Sequence, residues 1–569
     1  MNALISPIIK KYKTIILILI LLIIQAYFTL TLPEYTADIV NVGVANADMD
    51  YVYDIGMKMI TTTVLATVSA ILVAFFSSRF SSGYARDLRK MIFPKVLKFS
   101  NHELNDISKS SLITRILIDV SQIQMFAEEL LTVIIFAPII GVGGIMKSLE
   151  LGTNLSWIIL LIFAIVIIFM IPIFMKVLPY LGKLQEITDR INVNTREVLT
   201  GMPVIKTFVR QDYEEKKFDK VNSEFNETNI RAYRYILLLT PLLTLHLSLM
   251  TVGIIYFGSF QIEAGDMLIG DLLAFIQYAT QIVTSFLMVA TFFTIMPDII
   301  VSIRRVNEIF KTEVSITDGE IDTINTDKPI IEFKNVDFKY PNSENNTLTD
   351  INLKLEPGKT IAIIGGIGSG KSTILNLIPR LQDPTAGEIL LNGENIKKYK
   401  LSTLRENISF TPQKAHIFEG TVKSNMTIID ENASDDEINE ALKRANVNFI
   451  DGLDDEVAPG GANFSGGQKQ RLSIARSILK ECDFYLFDDC FSALDMNTER
   501  IIKNNLKEME GSSILIVSQR ISTIKDADEI IVLDNGKILD RGPHDRLVET
   551  CGIYREIVDS QVDALRDAV

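Results

Sequence analysis

The chain of 569 residues contains few of the residue types that build disulfide frameworks and metal sites. It has three cysteines and four histidines. The cysteines, Cys482, Cys490 and Cys551, all lie in the second half and show no framework spacing. We predict reduced thiols without a disulfide or metal role. A basic excess is also missing, because the net charge is -14. This balance argues against nucleic acid as a partner.

Charged residues are absent from six long apolar segments of the first half. Each segment approaches or exceeds the roughly 20 residues that cross the hydrocarbon core of a bilayer. This pattern excludes a wholly soluble protein and predicts six transmembrane helices. The predicted spans are 14–33, 59–78, 130–146, 151–175, 235–262 and 272–297.

The distribution of charge between the spans predicts the orientation of the chain. Lys10, Lys11 and Lys13 precede the first span, the loop 34–58 is acidic, and the segment 79–98 is basic. Since basic loops stay in the cytoplasm, the N-terminus is predicted to be cytoplasmic. Six spans then return the second half of the chain to the cytoplasm. The sequence thus predicts a multi-pass membrane protein whose N-terminus and second half lie in the cytoplasm.

A glycine-rich loop follows the apolar run 361–364, which reads as a strand. Its spacing matches the P-loop of nucleotide-binding proteins. The glycines let backbone N–H groups surround phosphates, Lys371 adds a positive charge, and the hydroxyl of Ser372 can bind Mg²⁺. A helix predicted from about Thr373 points its positive end at the same anion. The loop consists of Gly365, Gly366, Ile367, Gly368, Ser369, Gly370, Lys371 and Ser372.

Two further motifs follow in order. Residues 464–468 read Phe-Ser-Gly-Gly-Gln, and the apolar run 484–487 ends at Asp488. Together with the P-loop, they resemble the ATP-binding cassette (ABC) transporters. The resemblance implies that Ser465, Gly466, Gly467 and Gln468 form the signature motif, and that Asp488 is the Walker B carboxylate that binds Mg²⁺ with Ser372 and Gln413. It also implies that Tyr340 stacks on adenine, and that Gln413 and Asp495 belong to the catalytic Q-loop and D-loop.

The sequence departs from this family at two positions. Asp489 stands where the family usually has the glutamate that activates water, and Gln519 stands where a histidine is expected. Shortening the carboxylate by one methylene withdraws it by roughly an ångström, although a base must lie within about 2.6–3.2 Å of its proton. We therefore predict that this site binds ATP but hydrolyses it poorly. The alternative is that both changes are tolerated in an active homodimer.

The segments 79–129 and 176–234 are long, whereas the outer loops 147–150 and 263–271 are short. Helices at 1.5 Å per residue would carry the spans far into the cytoplasm. Such extensions resemble those of exporter-type (type IV) ABC transporters, whose coupling helices we place near 101–111 and 211–218. The predicted fold is an α-helical six-span transmembrane domain, residues 1–320, followed by an α/β P-loop ABC nucleotide-binding domain, residues 321–569.

One membrane domain with one nucleotide-binding domain is a half-transporter. In the family two such chains close head to tail, so the resemblance implies a second half-transporter as partner, with Glu and His intact. The chain resembles the degenerate-site subunit of bacterial heterodimeric multidrug exporters, so we predict a heterodimeric exporter of multidrug type in a bacterial plasma membrane. A homodimeric lipid or peptide exporter and an ATP-gated regulatory or channel-like subunit remain open.

The charge-free spans favour an amphipathic or hydrophobic small molecule as cargo, within a lipid environment. Polar and aromatic residues inside the spans can mark its path, although helix–helix hydrogen bonding explains them about as well. The candidates are Gln25, Tyr27, His246, Gln277, Tyr278, Gln281 and Phe286.

Overall fold

The computed structural model describes residues 2–151, 156–324, 328–341, 343–509 and 511–566, which divide into two units. The first unit comprises Met1–Leu97 and Ser108–Glu313. The second comprises Lys98–Ile107 and Val314–Val569. Every described element of the first unit is a helix, and the sheets belong to the second. The predicted fold class, a helical membrane domain followed by an α/β domain, is confirmed.

The apolar runs of the first half form long helices. Three π-helical turns, Ile39–Val44, Arg115–Asp119 and Leu130–Ile134, interrupt or extend them. The helices are α1 (Asn2–Lys10), α2 (Tyr12–Asp38), α3 (Met49–Leu97), α4 (Asn101–Ile107), α5 (Lys109–Thr114), α6 (Val120–Glu129), α7 (Phe136–Glu150), α8 (Ser156–Thr200), α9 (Met202–Thr207), α10 (Gln211–Ala264) and α11 (Ile269–Lys311).

Five helical stretches within the described residues are long and apolar enough to cross a membrane. They overlap five of the six predicted spans. The predicted span 151–175 includes residues 152–155, which lie outside the described part of the chain, and its remainder from Ser156 belongs to α8. The count of six therefore stays a prediction. The five stretches are Tyr12–Val44, Met49–Leu97, Lys109–Glu150, Thr244–Ala264 and Ile269–Phe292.

Two of the polar residues proposed to line a substrate path connect α11 to α2. Tyr278 is fully buried, and its hydroxyl donates to the carbonyl oxygen of Leu30 at 2.9 Å. The side-chain amide of Gln281 donates to the carbonyl oxygen of Thr29 at 3.4 Å. These contacts hold two membrane helices together, which is the other explanation for polar groups in spans. Tyr27, by contrast, is 62% exposed.

A short helix does lie at the first predicted coupling position. It is α4, whose buried Glu103 accepts hydrogen bonds from the backbone N–H of Ser100 at 2.6 Å and of Ser315 at 3.2 Å. The second predicted position was wrong. Residues 211–218 form the first turns of α10, and the separate short helix is α9. Its Pro203 near the start suits a helix beginning, a signal that the prediction overlooked.

Where the structure describes it, the second unit combines three sheets with flanking helices. Its strands are β1 (Ile331–Phe338), β2 (Leu348–Leu355), β3 (Thr360–Gly365), β4 (Ala386–Leu391), β5 (Glu394–Asn395), β6 (Ile408–Thr411), β7 (Gly420–Thr421), β8 (Glu456–Val457), β9 (Phe484–Asp488), β10 (Ser513–Val517), β11 (Glu529–Asp534) and β12 (Lys537–Gly542). Its helices after α4 are α12 (Lys371–Leu377), α13 (Leu401–Glu406), α14 (Val422–Met426), α15 (Asp435–Arg444), α16 (Gly466–Leu479), α17 (Met496–Lys507), α18 (Ile521–Ile524), α19 (His544–Thr550) and α20 (Gly552–Arg566).

The six-stranded sheet positions the candidate site. Its order is β12-β11-β3-β10-β9-β6, and all neighbours are parallel except β12 and β11. β9 and β10 are buried along their whole length, as expected for strands covered on both faces. Val517 pairs with Ile363 on one side and with Asp488 on the other. The carboxyl ends of β3, β10 and β9 therefore meet at one edge, where ligands of α/β sheets commonly bind.

Candidate nucleotide-binding site

The P-loop connects β3 to α12, which begins at Lys371 rather than at Thr373. Two of its glycines are required by their surroundings. A Cβ atom on Gly365 would collide with the carbonyl oxygen of Leu533 on β11. Gly370 has φ 101°, a value that favours glycine, and its Cβ would lie 2.5 Å from a methyl carbon of Leu348. The close approach of neighbouring strands thus dictates these two positions.

Lys371 is buried within the loop that it follows. Its Nζ atom donates to the carbonyl oxygens of Gly365 at 2.9 Å and Gly366 at 2.6 Å. Burial lowers the pKa of Lys371, and the carboxylates of Asp489 and Asp488 oppose this effect. The ammonium group is therefore already oriented at the loop, where phosphate oxygens could replace the neutral carbonyls as its acceptors.

Oxygen ligands suitable for Mg²⁺ lie beside this lysine. The hydroxyl of Ser372 donates to Oδ1 of Asp488 at 3.0 Å. Burial raises the pKa of Asp488, while the hydrogen bond from Ser372 lowers it. A hydroxyl, a carboxylate and the side-chain carbonyl of Gln413 are hard oxygen donors, which fit Mg²⁺. A bound cation would also offset the cost of burying Asp488.

These residues line one cleft of about 320 Å³. Tyr340 stands at its edge, with its hydroxyl 3.2 Å from the hydroxyl of Thr373. Sequence reasoning missed two lining residues, Thr347 and Val517. Thr347 carries no motif signal, whereas Val517 could have been found as the last residue of β10. The lining consists of Tyr340, Thr347, Ile367, Gly368, Ser369, Gly370, Lys371, Ser372, Thr373, Gln413, Asp488, Asp489, Val517 and Gln519.

Asp489 has an unusual backbone conformation. Its φ is 44°, which is uncommon for a residue other than glycine, and its N–H donates to the carbonyl oxygen of Val517 at 2.9 Å. Oδ2 accepts from the side-chain amide of Gln413 at 3.4 Å, while Oδ1 is buried without a hydrogen bond within the described residues. Burial raises the pKa of Asp489, although the nearby N–H of Gln519 and the amide of Gln413 partly offset this rise.

The signature residues lie outside this cleft. Ser465 caps α16, with its Oγ accepting from the N–H of Gln468 at 3.3 Å. The side chain of Gln468 accepts in return from the N–H of Ser465 at 2.8 Å. This reciprocal pair is a capping box, and Ser465 and Gly466 are exposed. α16 therefore presents its N-terminus at the surface of the second unit, with Gly466 and Gly467 in its first turn.

Asp495 also lies outside the cleft and caps a helix. It accepts from the N–H of Thr498 at 2.9 Å, and this hydrogen bond lowers the pKa of Asp495. Sequence reasoning assigned no role to Arg520, which connects the family's switch region, residues 514–523, to the D-loop, residues 492–495. Its guanidinium donates to the carbonyl oxygens of Ser492 at 2.8 Å and Leu494 at 3.2 Å. Its position directly after Gln519 in the sequence could have indicated a role near the site.

Both halves of the chain match family models. The model for the ABC transporter transmembrane region covers residues 15–286. The model for the ABC transporter covers residues 348–492, from the start of β2 to Ser492 beyond β9. The matched regions thus include most of the membrane helices, the P-loop and the signature residues.

Relatives match along almost the whole chain. An uncharacterized ABC transporter ATP-binding protein of Mycobacterium tuberculosis is 35% identical, over 98% of each chain. An ATP-dependent lipid A-core flippase of Pseudomonas aeruginosa is 30% identical, over 90% of this chain and 85% of its own. A solved bacterial Atm1-family ABC exporter with ATP bound shares the fold, with a TM-score of 0.83 and 23% identity over 97% of this chain and 98% of that one.

These matches agree with the order of membrane helices, P-loop and signature motif described above. ABC exporters bind ATP and couple its hydrolysis to transport. They span the plasma membrane several times and work as dimers. The chain belongs to the ATP-binding cassette exporters, as a half-transporter with one membrane domain and one ATP-binding domain.

Proposed function

We propose that this chain is the slow-hydrolysing subunit of a heterodimeric ATP-driven exporter that moves amphipathic or hydrophobic compounds out of the cytoplasm or the inner leaflet. The observation that carries the proposal is the pair Asp489 and Gln519 in an otherwise complete nucleotide cleft. Lys371, Ser372 and Asp488, which line this cleft, would hold the phosphates and Mg²⁺ of a nucleoside triphosphate. Asp489 and Gln519, which occupy the positions that would activate water, are the residues that differ from the family pattern.

The position of Asp489 favours slow hydrolysis. Its backbone N–H is bonded to Val517 on β10, and a change of its φ of 44° would break this bond. The main chain therefore cannot advance to replace the methylene that glutamate would supply. A general base must come within about 2.6–3.2 Å of its proton, so a deficit of roughly an ångström matters.

Gln519 adds a second deficit. Its side chain lines the cleft but is a neutral amide, which cannot carry the positive charge that a protonated histidine could bring to the phosphate. None of the four histidines belongs to the residues described as lining the cleft. His416, for example, stacks edge-on against Phe418, with ring centroids 4.9 Å apart.

The exposed signature residues support a dimer in which each chain contributes residues to the ATP site of the other. The first-turn N–H groups of α16 and the hydroxyl of Ser465 lie outside this chain's own cleft and would bind an anion presented by a partner. In a head-to-tail dimer they would complete the partner's site. Mg²⁺, held by Ser372, Gln413 and Asp488, would neutralise phosphate charge. In this arrangement Lys371 binds and orients the phosphates at the slow site.

A second candidate function, lipid flipping by a homodimer, is favoured by the similarity to the lipid A-core flippase of Pseudomonas aeruginosa. Both functions would suit spans without charged residues. The two functions differ in what Asp489 must do. A homodimer has two identical sites, so it must hydrolyse ATP with an aspartate in the place of the usual glutamate. A regulatory subunit would use the slow site as a latch and would show little turnover in any assembly.

The assembly can be tested by comparing ATPase rates. Purified alone, this chain should bind ATP but hydrolyse it at least about tenfold more slowly than a complex with a half-transporter that has Glu and His, because a general base contributes about 10²–10⁴ in rate. Lys371→Ala serves as the control, since it should weaken ATP binding to this chain. Rapid turnover by the chain alone would favour the homodimeric flippase and overturn the proposal.

The orientation is tested by thiol labelling in intact cells. Asn46→Cys lies on an exposed outer turn and should react with a membrane-impermeant maleimide, whereas Asn105→Cys on α4 is equally exposed and should not. Both substitutions are made with Cys482, the one half-buried natural cysteine, replaced by serine. The reverse labelling pattern would contradict the cytoplasmic placement of the nucleotide-binding domain.

A further inference from the structure

The C-terminal helix contacts the switch region through one side chain. The amide nitrogen of Gln561 on α20 donates to the carbonyl oxygen of Gln519 at 2.7 Å. Its Oε1 atom accepts from the N–H of Ile521 at 2.9 Å. The two hydrogen bonds bracket Arg520, so one carboxamide holds the main chain on both sides of it.

α20 is anchored before it reaches this point. Tyr554 is fully buried, and its hydroxyl lies 2.7 Å from Nδ1 of His544 on α19. Val558 packs against the core of the second unit. Tyr554, Val558 and Gln561 are spaced by four and three residues and therefore lie on one face of the helix. The packing of this face delivers Gln561 to the switch region.

The segment held by Gln561 contains groups that act at the nucleotide. The side chain of Gln519 lines the cleft, and Arg520 donates to two carbonyl oxygens of the D-loop. The same segment is fastened further on, where Nζ of Lys503 donates to the carbonyl oxygen of Ser522 at 3.2 Å. The N–H of Arg520 donates to Oγ of Ser518 at 3.0 Å, and Gln561 adds the two bonds that reach this segment from the C-terminal helix, to the carbonyl oxygen of Gln519 and from the N–H of Ile521.

We propose that Gln561 is a positioning residue for the ATP site: through its carboxamide, the C-terminal helix sets the conformation of the switch segment and thereby the position of Gln519. The inference rests on the proposed placement of Gln519 beside the phosphates, but it does not depend on how fast the site hydrolyses ATP. Through Gln561, α20 would thus influence the conformation of the nucleotide site.

The two hydrogen bonds to the switch segment require a donor and an acceptor at the end of one side chain. Gln561→Met keeps the length of the side chain but removes both hydrogen bonds. Gln561→Glu keeps the acceptor for Ile521 and places a negative charge against the carbonyl oxygen of Gln519. Ser560→Ala is the matched control, because the Ser560 hydroxyl donates to Ile557 within the same helix.

Hydrogen exchange of the full-length chain in lipid nanodiscs tests the proposal. In Gln561→Met, amides of the segment 515–525 should exchange up to about tenfold faster, as expected for the loss of hydrogen bonds of ordinary strength, and Ser560→Ala should leave them unchanged. ATP with Mg²⁺ should slow this exchange in the natural chain and in Ser560→Ala. The slowing should be lost in Gln561→Met, with ATP affinity changed less than about threefold and the melting temperature lowered by no more than about 2–4 °C.

Unchanged exchange of the amides of residues 515–525 in Gln561→Met would show that Gln561 does not hold the switch segment. Faster exchange with full protection by ATP would overturn its role in positioning Gln519. Either result would leave the slow-site proposal standing. Conversely, rapid ATP turnover by this chain alone would sink that proposal without altering the exchange data.

Discussion

Ser465→Arg should nearly abolish ATP hydrolysis by the assembled exporter, whereas Asp489→Asn should lower it only modestly. Ser465 lies outside this chain's own cleft, at the exposed start of α16. In a head-to-tail dimer that surface completes the partner's site, which is expected to be the competent one. Removing a preorganised donor costs about 10²–10³ in rate, and an arginine would also fill the phosphate site.

The measurement is the steady-state ATPase rate of the co-purified complex. Lys371→Ala should give an intermediate rate, since the slow site still has to bind ATP for the dimer to close. Ser434→Arg is the matched control, because Ser434 caps α15 through the same type of capping box with Glu437 but belongs to no nucleotide motif. Any loss seen with Ser434→Arg measures the damage done by losing a helix cap. The model of unequal sites is wrong if Asp489→Asn is as damaging as Ser465→Arg.

Asp489→Glu combined with Gln519→His should raise the ATPase rate of the chain purified alone by at least about tenfold. Both residues line the cleft beside Lys371, and the hydrogen bond to Val517 holds the backbone of residue 489 in place. A longer carboxylate would therefore extend further into the cleft from the same main-chain position. A correctly placed general base contributes about 10²–10⁴, so a tenfold gain allows for imperfect geometry.

The gain in ATPase rate should vanish when Lys371→Ala is added, because the phosphates then lose the ammonium group of Lys371. Each single substitution should give less than the pair if base and histidine act together. An unchanged rate in the double variant would show that Asp489 and Gln519 do not limit hydrolysis. A natural chain that already turns over at the restored rate would lead to the same conclusion.

Local patterns in the sequence were sufficient for the identity of the parts. A span requires only a sufficient length of apolar residues, and a P-loop requires only a few residues at fixed spacing. β9 accordingly covers the predicted residues 484–488, and α2 contains the first predicted span. The two departures from the family pattern, Asp489 and Gln519, were equally visible because each lies next to a recognisable strand.

Other features depend on residues that are far apart in the chain, and no local pattern encodes them. The order of β3, β10 and β9 brings the P-loop, Gln519 and Asp489 to one sheet edge. The sequence marks Tyr278 as a polar group within a span, and only the tertiary structure shows that its hydroxyl bonds the carbonyl oxygen of Leu30 on another helix. The bonds of Gln561 to the switch segment join residues about 40 positions apart through the packing of α20. Sequence spacing determines which groups the chain carries, whereas hydrogen bonds and packing between distant segments decide which of them meet.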